Sequence, residues 1–304
     1  MVTPIAPRET QLTTDPQLSI TIPVRNAAQT LETCLASIRR AVTIPHEVLV
    51  VDGGSSDASV SIAHRWHATV IEGNHGLLEA RRIAAQRATG SVVMLLDADQ
   101  ILQGNAIDTA VSRIRNGKAD MIAIGETIAN RKSLYGYLSD CDKRLLSLNI
   151  TAHLDPKRGV ILPRLFKRDL LVQTFDTIPT YYDDIVLAMD HALIYAHATA
   201  ISNAIDFIPG GLAHEEPSRL QDVWKKNYRW GKSIGKQLAS GVEPGLTTSK
   251  LARRGFKTGS LWLKVASTLF LTIKTPPYVT GIINGLLIEV VSDIHTTYHQ
   301  RRAS

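Results

Sequence analysis

The chain has 304 residues, 44% of them apolar and 20% charged, the make-up of an ordinary globular protein with length for one large or two small domains. Cys34 and Cys141 are its only cysteines, which excludes a disulfide framework or a cysteine-built zinc site and fits a reducing compartment. The net charge of +6 is mild, yet basic residues gather after residue 225, and such a cluster suits an anionic surface.

Residues 1–17, rich in Thr and Pro and without the pattern of a signal peptide, read as a flexible tail. Leu18-Ser-Ile-Thr-Ile22 is a first strand closed by Pro23. Asn26 then caps a helix with Ala28, Leu31, Leu35 and Ile38 on one face. Glu47-Val-Leu-Val-Val51 is a second strand, about 29 residues after the first, the span of a βαβ unit. It runs into the polar loop Asp52-Gly-Gly-Ser-Ser-Asp57, where Ser55 or Ser56 is available to cap the next helix. Thr69-Val-Ile-Glu72 is a short third strand, and a helix follows from about Leu77 to Ala88.

Val92 to Leu96, five apolar residues in a row, read as a strand buried on both faces. It stops at Asp97-Ala-Asp99, and alternate strand residues point the same way, so the two carboxylates are expected to aim at one point beyond the strand end. Paired oxygens suit a hard divalent cation such as Mg²⁺ or Mn²⁺; a simple turn is the alternative. Asn105 caps a helix with Ile107, Ala110, Val111 and Ile114 on one side, and Met121 to Gly125 is a further strand. This alternation implies a doubly wound α/β domain from residue 18 to about 125.

Beyond residue 130 the pattern changes. Lys132 to Leu148 is helical and charged, and Gly159 to Phe166 is a strand. Tyr181-Tyr-Asp183-Asp184 to Met189 reads as an acidic pair at a helix start, where the helix dipole alone favours acids. A strand from Ala200 to Ile208 leads through Pro209-Gly-Gly to His214. Gln221 to Gln237 is a helix with a basic side. In the tail, Lys250, Arg253, Arg254 and Lys257 precede a helical apolar pattern that Pro276-Pro277 break in two. Neither piece reaches the roughly 20 apolar residues of a spanning helix, so the region reads as an interfacial membrane anchor. A helical hairpin packed on the domain, or forming a homo-oligomer, is the alternative.

No Gly-x-Gly-x-x-Gly follows the first strand, no P-loop is present, and no Gly-x-Ser-x-Gly elbow appears, which argues against dehydrogenases, P-loop NTPases and α/β hydrolases. Four stretches come in order: Ser19 to Asn26, Val50 to Asp57, Asn74-His-Gly76 to Arg81, and Gly90 to Asp99. Together they resemble the family 2 glycosyltransferases. The resemblance, strong over residues 18 to 100, weaker from 159 to 232 and undefined in the tail, implies a GT-A type doubly wound mixed sheet with a nucleotide-sugar-binding half (18–130) and an acceptor-binding half (131–240). The pattern of the tail itself adds a helical, membrane-associated C-terminal extension, an amphipathic region over 241–304.

Carried over by position, the resemblance implies that Pro23, Asn26 and Gly76 line the donor pocket and that Asp52 accepts from the base, with a UDP-sugar favoured. Gly53 stands where many relatives carry a second Asp, and Arg82 to Ala84 depart from an Asn-x-Gly pattern. Arg81 is expected at the donor's pyrophosphate or ribose. Asp97 and Asp99 would hold the metal, with Asp99 the more direct ligand, and His214 would complete the site and favour Mn²⁺. A buried, hydrogen-bonded His214 is the alternative. Asp184 would be the general base, with Asp183 beside it, in a displacement that inverts the anomeric configuration. Arg229 and Trp230 would contact donor or acceptor, although Lys226 replaces the Gln of the processive enzymes' Gln-x-x-Arg-Trp motif. Arg164, Lys167 and Arg168 are candidates for an anionic acceptor or plain surface charges.

The expected activity is metal-dependent transfer of a sugar from a nucleotide-diphosphate donor to a lipid-linked or cell-envelope glycan. The enzyme would sit in the cytoplasm, peripherally bound to the membrane's cytoplasmic face. A nucleotide-sugar-binding scaffold and a sugar-phosphate nucleotidyltransferase are the alternatives. A nucleic-acid partner is disfavoured because few aromatics interleave with the basic residues.

Overall fold

The strand that runs into Asp97 lies in the middle of the sheet, and its neighbours explain why its residues are all apolar. The structure is a computed structural model that describes residues 16–148, 154, 162–183, 186, 189–241 and 260–303, with residues 289–303 described for backbone only. Among these residues eight strands form one mixed sheet: β1 (Leu18–Val24), β2 (His46–Gly53), β3 (Thr69–Gly73), β4 (Val92–Leu95), β5 (Gln100–Leu102), β6 (Met121–Ile128), β7 (Pro163–Lys167) and β8 (Ile205–His214). Their order is β3-β2-β1-β4-β7-β6-β8-β5. The first four pair in parallel, β7 runs antiparallel between β4 and β6, and β5 closes the edge antiparallel to β8.

Helices cover both faces. Val92 and Met94 join a core with α1 (Ala28–Ala41), α2 (Ser59–Arg65) and α4 (Ala106–Arg115). Val93 and Leu95 face the opposite core, built with α3 (Leu77–Arg87), α6 (Arg168–Thr177) and α7 (Asp190–Ala198). Successive residues of β4 thus feed two cores, each burial contributing about 1.5–3 kcal/mol.

Several local expectations are corrected. β1 does not stop at Pro23 but runs to Val24, because pairing with β4 ends at Thr21↔Leu95 and the missing N–H is not needed on that side. Asn26 does not cap α1: it adopts φ 53° and its Oδ1 accepts from the Ser56 N–H. The N–H groups of Ala27 and Ala28 at the start of α1 donate instead to Ser59 Oγ and Asp57 Oδ2. Neither Ser55 nor Ser56 caps α2, which begins at Ser59 with Asp57 accepting from the Ser59 N–H. Of the segment Tyr181 to Met189, Tyr182 ends a 3-10 turn (Thr180–Tyr182), Met189 is left-handed at φ 69° and α7 starts at Asp190, while residues 184, 185, 187 and 188 lie outside the described residues.

Pro209-Gly-Gly does not end β8. The strand takes a two-residue bulge, Ile124↔Ile208 giving way to Gly125↔Gly211, with Gly210 and Gly211 at φ 76° and 119°. Pairing then resumes and brings His214 opposite Gln100, one residue from Asp99.

The tail is one helix rather than two. α9 (Leu261–Ala303) runs through Pro276-Pro277. It is held on both sides of the prolines: Ala266 and Phe270 pack with Tyr135 and Leu138 of α5 (Leu134–Ser147), and Gly281 and Gly285 lie against α8 (Leu220–Ala239). A Cβ on Gly281 or Gly285 would come within 2.2 Å of a backbone oxygen of α8, and one on Gly231 or Gly235 would meet α9 as closely. Among the described residues no helix is long and apolar enough to cross a membrane. The basic residues Lys250, Arg253, Arg254 and Lys257, and the tail before Pro16, lie outside the described residues.

Candidate active site

β4 ends at Leu95, so Asp97 and Asp99 sit in the turn before β5, closed by a bond from Gln100 N–H to the Asp97 carbonyl. The two-residue alternation of a strand no longer governs them, and the carboxylates take different partners instead of sharing one.

Asp97 faces inward. Its Oδ1 accepts from Arg81 Nη2 at 2.5 Å and its Oδ2 from Arg164 Nη1 at 3.0 Å. Arg81 also donates from Nε to Asp190 Oδ2 at 2.5 Å, and only 1% of its side chain is exposed, so it does not reach out toward a ligand pocket. Arg164 continues the chain to Glu126 Oε1 at 2.8 Å, and Lys143 of α5 meets Glu126 Oε2 at 2.7 Å. Charges alternate along this partly buried line, from Lys143 through Glu126, Arg164, Asp97 and Arg81 to Asp190. Burial alone would raise the Asp97 pKa, but Arg81 and Arg164 hold it well below the usual carboxylate range. Lys143 and then Arg164 do the same for Glu126 against its burial. His191 packs beside this line, its Nε2 against Arg164 Nη1 at 2.5 Å. Burial, then Arg164 and Arg81, push its pKa down, which keeps the ring neutral.

Asp99 faces the other way and is 38% exposed. Its Oδ2 lies 3.1 Å from His214 Nε2, and His214 holds the Asp99 pKa down against the effect of burial. The Nδ1 of His214 is buried with no hydrogen-bond partner. Glu216 stands 3.7 Å from that nitrogen and is bound by Lys226 at 3.1 Å. The Lys226 ammonium lies over the Trp230 ring at 5.2 Å, while Arg229 is exposed on α8.

At the ends of β1 and β2, Val24 and Asp52 are in register. The Asp52 carboxylate is buried; its Oδ2 accepts from the Gly54 and Ser55 N–H groups, at 3.0 and 2.9 Å, and its Oδ1 is left without a partner. An unpaired buried carboxylate oxygen calls for a donor. Pro23 is partly buried beside it and Asn26 exposed. A side chain at position 53 would meet the His75 carbonyl at 2.8 Å, which accounts for Gly53 in place of a second acid.

Across the site, Asp183 is gripped by Arg82, whose Nε and Nη2 lie 3.2 and 3.1 Å from its two oxygens. The same guanidinium donates to the carbonyls of Phe175 and Ile178. Gly76 approaches so closely that a Cβ there would lie 2.6 Å from the Asp183 carbonyl. Asp184, the expected base, lies outside the described residues.

Sequence reasoning missed Asp190, His191, Glu126 and Lys143, and it left Arg164 undecided. The available signal was a charged residue inside an otherwise apolar strand, as Glu126 is in β6 and Arg164 in β7. Lys167 is exposed and Arg168 pairs with its neighbour Asp169, so neither joins the cluster.

Among the described residues no group of three or more His, Cys, Asp or Glu side chains is placed to hold a metal. Asp99 and His214 form a carboxylate–imidazole pair whose acid is 38% exposed. Divalent ions bound by one or two protein ligands and substrate phosphates use such a pair, so the residues fit an ion that arrives with a diphosphate. Both Asp97 oxygens are already engaged by arginines.

A family model described as glycosyl transferase family 2 matches residues 19–174. A PGL/p-HBAD biosynthesis glycosyltransferase of Mycobacterium tuberculosis is 28% identical over 144 residues, 44% of this chain and 56% of that protein. A poly-beta-1,6-N-acetyl-D-glucosamine synthase of Staphylococcus epidermidis is 23% identical over 251 residues, 77% of this chain and 58% of that protein. The chain thus spans little more than half the length of these relatives. Among solved structures, S. aureus TarS 1-349 superposes with a TM-score of 0.52 at 15% identity, over 93% of this chain and 91% of that one. The mannosyltransferase PcManGT of Pyrobaculum calidifontis, in complex with GDP-Man and Mn²⁺, gives 0.51 at 18% identity, over 93% and 88%.

Proposed function

The chain belongs to glycosyl transferase family 2, and from that premise we propose that it moves a sugar from a nucleotide-diphosphate donor to a lipid-linked or envelope glycan, with inversion, beside a membrane. The observation that carries this reading is the Asp99–His214 pair, 3.1 Å apart and partly exposed, where the turn after β4 meets the end of β8. The mannosyltransferase neighbour was solved with Mn²⁺ and a nucleotide sugar, which supports an ion at the corresponding end of this fold.

Asp52 binds the base: its free, buried Oδ1 accepts an imide N–H, as uracil would offer. The loops carrying Asn26 and Gly54 flank that oxygen. Asp99 and His214 would hold the divalent ion, and a bound ion would offset the charge on the leaving diphosphate. Arg81 and Arg164 neutralise Asp97 from inside, so the floor of the site keeps its shape before the donor arrives.

The reaction is one in-line displacement. The acceptor oxygen forms a bond to the anomeric carbon as the bond from that carbon to the diphosphate oxygen breaks, and the electron pair leaves with the diphosphate. Asp184 takes the acceptor's proton, while Arg82 orients its neighbour Asp183. Arg229 and Trp230 belong to the acceptor side on this reading. Most of the rate then comes from positioning and electrostatics.

The test is a donor screen. Purified protein is offered UDP-, GDP- and dTDP-sugars with Mn²⁺, Mg²⁺ or EDTA, beside Asp99→Asn. Metal-dependent binding or slow hydrolysis of one donor, lost in the variant, supports the reading. Equal activity in Asp99→Asn removes the metal site, and nucleotide binding without sugar preference favours a scaffold.

A further inference from the structure

α9 is apolar on two sides, and the described residues cover only one of them. The inner side packs on α5 and α8. On the outer side Trp262, Val265, Leu269, Val279, Ile283 and Leu287 are between 42% and 59% exposed. Between Leu261 and Ile288 every exposed position of the helix is uncharged. At about 1.5 Å per residue this makes a strip roughly 40 Å long, far beyond the scattered apolar residues of an ordinary surface.

The polar groups on the strip are already satisfied within it. Thr268, Thr272 and Thr280 donate their hydroxyls to the carbonyls of Lys264, Thr268 and Pro276, at 2.9, 3.0 and 2.9 Å. Hydroxyls bonded back to their own helix need no water, which suits contact with hydrocarbon. At one edge Trp262 Nε1 donates to the Tyr137 hydroxyl of α5 at 3.0 Å, and both rings are exposed. Such rings, apolar in body and polar at the tip, suit the headgroup level of a bilayer.

Charge decides between a bilayer and a second copy. Among the described residues from Leu220 to Ile288 there are seven lysines and arginines against one acidic residue. Lys225 and Arg229 are exposed on α8, and Lys264 is partly exposed at the margin of the strip. Two copies face to face would bring like charges together, whereas an anionic bilayer would draw them in. No helix among the described residues is long and apolar enough to cross.

We propose that the outer face of α9, edged by Trp262 and Tyr137, lies flat in the headgroup–acyl boundary of an anionic bilayer. The proposal rests on the reading of a transferase that works beside a membrane, and it names the face and the lipid charge that put it there.

The test is flotation of the full chain with vesicles of phosphatidylcholine alone or mixed with phosphatidylglycerol. Leu269→Glu/Ile283→Glu is compared with the control Ser61→Glu on the exposed side of α2. Wild type and control are expected to float with the anionic vesicles, and the double variant about tenfold less. Circular dichroism and metal-dependent donor hydrolysis without vesicles are expected to be the same for all three. Wild type that stays behind, or a double variant that floats equally, overturns the proposal. So does a wild-type dimer, seen by light scattering, that the two glutamates split while vesicles bind nothing. Flotation lost in the double variant, in a protein that hydrolyses no donor, upholds the surface and removes the transferase reading instead.

Discussion

Arg81 and Asp190, 109 residues apart in sequence, meet at 2.5 Å inside the protein, and the same guanidinium holds Asp97 at its other end. The arginine joins the two halves of the candidate site through one buried cation. Removing it would leave two acids without their shared counter-charge. Arg81→Met is expected to lower unfolding free energy by about 3–5 kcal/mol, with Arg81→Lys between it and wild type. Urea denaturation measures this, and a change under about 1 kcal/mol would mean that the pair is not structural.

The Asp52 assignment has a sharp test. Asp52→Asn keeps an oxygen for the Gly54 and Ser55 N–H groups but loses the charged acceptor. A hydrogen bond to a charged group contributes about 1.5–3 kcal/mol, so UDP affinity should fall by roughly ten- to a hundredfold. Calorimetric titration with UDP reads the loss, and wild-type affinity in the variant would put the base elsewhere.

His214→Ala probes the ion's second ligand. With Asp99 alone, an ion that prefers oxygen is less affected than one that accepts imidazole. Donor binding should weaken more in Mn²⁺ than in Mg²⁺, by about tenfold. Equal weakening in both metals would make His214 a structural partner of Asp99.

Acid should act on the fold in two steps. His191 is held neutral, so the unfolded chain binds the extra proton, and stability falls as pH drops below the unfolded histidine value of about 6.5. Asp97 and Glu126 are shifted down, so their contribution is complete above the unfolded carboxylate value of about 4 and is lost progressively as pH falls from there toward their lower folded values. Melting temperature followed from pH 8 to pH 3 in roughly half-unit steps should show the upper step and the onset of the lower one. His191→Gln should remove the upper one only; a profile unchanged by that substitution would assign the upper step to another group.

The contact of α8 with α9 should be intolerant of any side chain. A Cβ on Gly231 would lie 1.9 Å from the Tyr278 carbonyl. Gly231→Ala should cost about 1–3 kcal/mol despite the better helix propensity of alanine. Faster proteolysis within α8 and α9 would report the loosened contact, and a wild-type digestion rate would show that the backbones can part freely.

What the sequence made legible was what depends on local pattern. The buried strand Val92–Leu95 and the four inward positions of α4 stand as their periodicity says. The meeting of Asp99 with His214 was legible through family resemblance. It was not legible from spacing, because it depends on a bulge in β8 that returns the strand to register after Pro209-Gly-Gly. The arginine-bound state of Asp97 was hidden for a related reason. Arg81, Arg164 and Asp190 come from a helix, an antiparallel strand and a helix start, and only tertiary pairing brings them to one carboxylate. The proline pair misled because local propensity forbids what packing on α5 and α8 sustains.

α5 has a part in both surfaces of the molecule. On one side Lys143 and Ser139, one turn apart, bind Glu126 and Glu216 of the charged cluster. On the other, Tyr137 and Asp142 bind Trp262 and Ser267 of α9. α5 and the body of α9, each about 10 Å thick, therefore space the candidate reaction centre from the strip. Were the strip to rest on a bilayer, that spacing would act as a ruler, admitting acceptors whose reactive hydroxyl stands at one height above the lipid and passing over those buried deeper or carried farther out.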